Sequence, residues 1–90
     1  MKIEREAAWI GDAVLALYAR EYVLKERSCM DGAWFTHLTS NEFLSAFGNP
    51  TAVEARIGNI YRNLGLAAAY NHIETEFVPL FIKQIQKKMK

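Results

Sequence analysis

Apolar positions recur at helical spacing along almost the whole of this chain. From residue 4 to about residue 27 no proline interrupts. Strong helix formers dominate there (Ala7, Ala8, Ala13, Leu15, Ala16, Leu17, Ala19), which predicts a long first helix. The run Ser28-Cys29-Met30-Asp31-Gly32 breaks it, with Asp31-Gly32 reading as a turn. Leu38, Phe43, Leu44 and Phe47 then predict a second helix over 34–47, closed by Gly48. Asn49-Pro50-Thr51 is a start signal, with Asn49 or Thr51 capping and Pro50 in the first turn. The third helix carries Val53, Ile57, Ile60, Tyr61 and Leu64 to a stop at Gly65. A fourth covers about 67–90 and is bent or restarted at Pro79, because proline removes a helical hydrogen bond. No strand pattern, repeat or linker stands out, so the pattern predicts a compact all-α bundle forming one domain over 1–90.

The first helix differs from an ordinary surface helix. Trp9, Ile10, Ala13, Val14, Leu17 and Tyr18 cover too wide an arc for a single neighbour, whereas a helix on a monomer surface shows one apolar stripe. This places the helix centrally, between its own domain and a second copy, with Trp9, Ile10 and Val14 as candidate dimer-interface residues. Gly11 within it costs about 1 kcal/mol against alanine, so either something approaches its backbone closely or a special geometry is needed there.

Composition sharpens this picture. Ninety residues at 51% hydrophobic are rich for so small a domain and again favour burial against a second copy. Eleven Lys+Arg against ten Asp+Glu exclude a strongly basic nucleic-acid binder but leave room for a local basic stripe. The stretch 77–90 is such a place: Phe81, Ile82, Ile85 and Met89 lie among Lys83, Lys87, Lys88 and Lys90. It reads as a packed terminal helix with a solvated lysine face, or as a basic edge touching RNA phosphates. Eleven aromatics and two prolines exclude disorder. Cys29 stands alone, so no intrachain disulfide or cysteine-based zinc site forms. The opening Met-Lys-Ile-Glu-Arg-Glu has no apolar signal core, which predicts a cytoplasmic, reducing setting. Residues 7–24 are mostly apolar, but Asp12, Arg20 and Glu21 argue for a buried helix and against a membrane span.

Asp12 is the sharpest candidate for chemistry. Within Trp9-Ile10-Gly11-Asp12-Ala13-Val14, an unpaired buried carboxylate would cost several kcal/mol. It must therefore be paired with a cation, protonated or hydrogen-bonded: the structural reading is an ion pair with Arg56 or Arg62, the functional one a ligand for a hard divalent cation. Glu54 is the second candidate. Thr51-Ala52-Val53-Glu54 has capping-box spacing, which would make Glu54 structural. Gly58 lies one turn further along the same face, however, and again suggests close backbone approach. If Gly11-Asp12 and Glu54-Gly58 cross, two carboxylates meet, and two carboxylates over one Mg²⁺ suit phosphoryl transfer. His37 and His72 have no ligand spacing around them and read as solvent or core histidines.

Trp9-Ile10-Gly11-Asp12-Ala13-Val14-Leu15-Ala16-Leu17-Tyr18 resembles the signature helix of the ribonuclease III family, Leu-Glu-Phe-Leu-Gly-Asp-Ala-Val-Leu. Val53-Glu54-Ala55-Arg56-Ile57-Gly58-Asn59-Ile60-Tyr61 is similar to its second signature, Phe-Glu-Ala-Leu-Ile-Gly-Ala-Ile-Tyr. Between them, Leu38-Thr39-Ser40-Asn41-Glu42-Phe43-Leu44 is similar to the helix bearing a Leu-Val-Ser-Asn run. The resemblance covers most of the chain in the family's order. It implies a ribonuclease III endonuclease-domain fold, a two-fold homodimer, and Mg²⁺-assisted cleavage of double-stranded or structured RNA, with Mn²⁺ as a substitute. Carried over by position, Asp12 and Glu54 match catalytic, metal-binding carboxylates, with Gly11 and Gly58 as structural glycines at the site. Two further acidic positions of full-size members are Ala8 and Thr51 here, a pattern that resembles the Mini-III branch. The stretch between the signatures is shorter than in either branch, and 32–51 contains no Lys or Arg. The alternative implied by the resemblance is a non-catalytic, RNA-associated dimer of the kind found in organellar ribosomes. A plain helical interaction module with an ion-paired Asp12 is the third reading.

Overall fold

The computed structural model describes residues 2–88, and among them every regular element is helical. Helix α1 spans Lys2–Arg27, α2 Gly32–Thr39, α3 Asn41–Leu44, α4 Pro50–Leu64, α5 Leu66–Glu76 and α6 Val78–Lys88, with a 3-10 turn at Ser45–Phe47. At 1.5 Å per residue the 26 residues of α1 run about 39 Å, close to the 41 Å long axis of the molecule. The other helices wrap this rod. Its most extensive contact is with α4, and it also touches α2 and α5.

Small residues at one crossing let α1 and α4 approach so closely. A Cβ on Gly11 would run into the Glu54 carbonyl, and one on Gly58 into the Ala7 carbonyl. Ala7, Ala8 and Ala55 bury beside the two glycines. Side chains at a helix contact set the interaxial distance, and here they are hydrogens and methyls. On either side of this crossing the core fills with Leu15, Leu38, Leu44, Val53, Ile57, Ile73 and Phe81, all fully buried. Phe81 stands edge-on to Tyr22, Trp34, His37 and Phe43, tying α6 to α1, α2 and α3.

Several boundaries fall where local chemistry directs them. Asn49 caps α4, its Oδ1 accepting from the Ala52 N–H at 3.2 Å, with Pro50 next in line. Gly48 (φ 135°) and Gly65 (φ 95°) turn the chain where an L side chain would be strained. The last helical stretch breaks at Phe77, which separates α5 from α6 and puts Pro79 in the first turn of α6. Met89 and Lys90, expected to extend this helix, lie outside the described residues.

Two expectations need correction. The single helix expected over 34–47 is three short pieces. Asp31 caps α2 by accepting from the Trp34 N–H at 3.1 Å, and Ser40 then interrupts the helix in an extended conformation. The Ser40 hydroxyl donates to the His37 carbonyl and accepts from the Phe43 N–H, both at 3.0 Å, closing α2 and opening α3. Val14, expected at a dimer interface, is 6% exposed and belongs to the chain's own core. No helix among the described residues is long and apolar enough to cross a membrane.

Candidate metal centre at the α1–α4 crossing

Asp12 follows Gly11 on α1, and Glu54 precedes Gly58 by one turn on α4, so the glycine crossing sets their separation. The two side chains come within hydrogen-bonding reach of each other. Asp12 is exposed and Glu54 half-buried. Burial, then the hydrogen bond with Asp12, then the charge on Asp12 push the Glu54 carboxyl from 4.5 up to about 7. A carboxylate pair in this state holds a proton between its members or accepts a cation.

Both structural alternatives for these residues lose their partners. Asp12 is exposed and makes no ion pair with Arg56 or Arg62; the ion pair among the described residues is Arg27 Nε to Asp31 Oδ2, at 3.2 Å. The capping box does not form either. Asn49 is the N-cap, which places Thr51 inside the helix and leaves Glu54 no capping role.

The donor set suits a hard cation. Two carboxylates are oxygen ligands, and Mg²⁺ is commonly held by one or two of them while keeping several waters. The elevated Glu54 carboxyl indicates the repulsion and desolvation that such a cation would relieve. Among the described residues no group of three or more His, Cys, Asp or Glu gathers around a common point. Buried Ala8 and half-buried Thr51 have no carboxyl group to add to the pair.

The histidines stay away from the pair. His37 Nε2 and Gln84 Oε1 are 2.6 Å apart, so the ring nitrogen donates, and Lys88 Nζ lies 3.5 Å from the other ring nitrogen, Nδ1. His72 sits edge-on to Phe77 with a buried, unpartnered Nε2, and burial lowers its pKa. The sequence reading missed the His37–Gln84 pairing, since nothing in spacing alone joins positions 47 residues apart.

The outer side of α1 carries an apolar strip. Trp9 is 77% exposed, and Leu17 and Leu24 are also exposed, with Ile10 half-buried beside them. This strip lies on the side of α1 away from the Gly11 face that meets α4. Compared with protein-family models, with curated proteins and with solved structures, the chain gives no match.

Proposed function

We propose that this chain is a minimal ribonuclease III-type endoribonuclease of Mini-III character, working as a two-fold homodimer on double-stranded or structured RNA. One observation carries the reading: the Gly11–Gly58 crossing brings Asp12 and Glu54 together, and among the described residues neither has an ion-pair or capping partner. These are the two positions at which the paired signatures place metal-binding carboxylates.

The chain's own residues divide the work. Gly11 and Gly58 hold the two helices at backbone contact and so fix the spacing of the carboxylates. Glu54, half-buried, is the anchored ligand, while exposed Asp12 closes the site on its open side. Asp12 and Glu54 would hold Mg²⁺ or Mn²⁺, which would supply water activation for attack on a phosphodiester and stabilisation of the developing charge. The expected products carry a 5′-phosphate and a 3′-hydroxyl. The exposed Trp9 strip is the proposed dimer contact, and exposed, free Cys29 suits a cytoplasmic, reducing setting, with an organelle as the alternative.

A second reading is a non-catalytic relative serving as an RNA-associated or ribosomal structural dimer. It is favoured by the absence of Lys and Arg from 32–51, since phosphate contacts supply much of RNA affinity. Cleavage of duplex RNA in Mg²⁺, beside Asp12→Asn and Glu54→Gln, separates the two readings.

A further inference from the structure

Charge is unevenly divided along this nearly neutral chain. Residues 77–90 hold four of the eleven Lys+Arg (Lys83, Lys87, Lys88, Lys90) and none of the ten Asp+Glu. The remaining 1–76 therefore carry seven cations against ten anions, so an acidic body ends in a basic helix. Within the described residues, Lys87 and Lys88 lie on the last turn of α6 beside α2 and α3, where an open groove of about 780 Å³ runs between the helices.

The groove's wall is preformed. His37 packs edge-on against buried Phe81, and its Nε2 donates to Gln84 at 2.6 Å. Exposed Lys88 brings its Nζ to 3.5 Å from His37 Nδ1 at the edge of the groove. The Thr36 and Ser40 positions also line it, and Glu42 is the carboxylate among the lining residues.

We infer that the α2–α6 groove docks the phosphate backbone of duplex RNA, with Lys87 and Lys88 as the contacting cations. The inference rests on the proposed RNA-directed function and assigns part of its substrate grip to a face separate from the two carboxylates. It also supplies phosphate contacts that 32–51, lacking Lys and Arg, does not. A purely structural role would have the two lysines complement the C-terminal dipole of α6; that role changes stability and leaves RNA affinity alone.

The test is binding of a duplex RNA of about 20 base pairs in EDTA, where no cutting occurs, over about 50 to 200 mM salt. Lys87→Gln/Lys88→Gln is expected to weaken binding about 10- to 100-fold at the low-salt end and to lower the log–log salt slope by about 1 per lysine. Lys2→Gln/Lys25→Gln, the same charge change on α1, is expected to cost much less. Glu42→Gln is expected to tighten binding, because it removes the groove's carboxylate. Circular dichroism verifies that each variant is folded. Unchanged affinity, an equal loss in the α1 variant, or a wild type that does not bind the duplex would overturn the inference. The rise in melting temperature with Mg²⁺, measured on wild type and Lys87→Gln/Lys88→Gln alike, reports on the carboxylate pair separately, so failure of the groove and failure of the metal centre remain distinguishable.

Discussion

Asp12 and Glu54 present two like charges within reach of one proton, and at neutral pH that arrangement costs stability. Glu54 titrates at about 7 in the fold against 4.5 ordinarily, so between those values the folded state binds more protons than the unfolded one. The associated stability is fully present below pH 4.5 and is lost as pH rises through 7. Since Glu54 is only half-buried, solvent screening reduces the loss to on the order of 1 kcal/mol. Urea unfolding of the metal-free protein across pH 4 to about 8 should record this decline, and Asp12→Asn should make it shallower, since burial of Glu54 persists, and raise stability above pH 7. A variant less stable than wild type at pH 8 would mean that Asp12 has a favourable partner. The apolar neighbours of Asp12 made burial the natural sequence reading. The exposed position follows from helix geometry: Gly11 faces α4, and the next residue turns about 100° away from it.

At the scale of elements, the α1–α4 crossing is the feature on which the site depends. Gly11→Ala and Gly58→Ala each drive a Cβ into a backbone carbonyl that cannot swing aside, so each should cost about 2 to 4 kcal/mol in chemical denaturation. Gly32→Ala is the matched control. No atom lies near its would-be Cβ, and it should change stability by about 0.5 kcal/mol or less, or improve it. Equal losses at all three positions would dissociate the glycines from the crossing. The close approach at Gly11 was readable beforehand, because a mid-helix glycine among strong helix formers requires a packing reason. The Asn49-Pro50 start, the Gly65 stop and the break near Pro79 were readable for similar local reasons. The interruption at Ser40 was hidden, because Leu38, Phe43, Leu44 and Phe47 keep apolar spacing across it while a hydroxyl takes over the backbone hydrogen bonds.

For the whole molecule, the outer side of α1 leaves an apolar strip exposed. The chain exposes 5980 Å², against about 5,400 Å² for a typical monomer of its mass. Trp9, Leu17 and Leu24 are among the large apolar side chains in that exposed surface. The all-round hydrophobicity of α1 reflects core contacts on one side and exposed Trp9, Leu17 and Leu24 on the other. It could not indicate which residues face the chain's own core, and Val14, expected at an interface, lies within it. Trp9→Glu should convert a dimer into a monomer in sedimentation experiments with the helical content retained, and should reduce cleavage with it. A wild type that sediments as a monomer at micromolar concentration would remove the dimer from the account.

In the proposed function, two carboxylates on crossing helices hold a metal that cuts RNA. Incubation of duplex RNA with the wild type in Mg²⁺ or Mn²⁺, with analysis of the product ends, is the decisive measurement. The expected result is cleavage that requires the metal, leaves 5′-phosphate and 3′-hydroxyl ends, and falls at least about 100-fold in both Asp12→Asn and Glu54→Gln. No cutting by a folded wild type in either metal at low salt, or cutting that survives both substitutions, would contradict the claim.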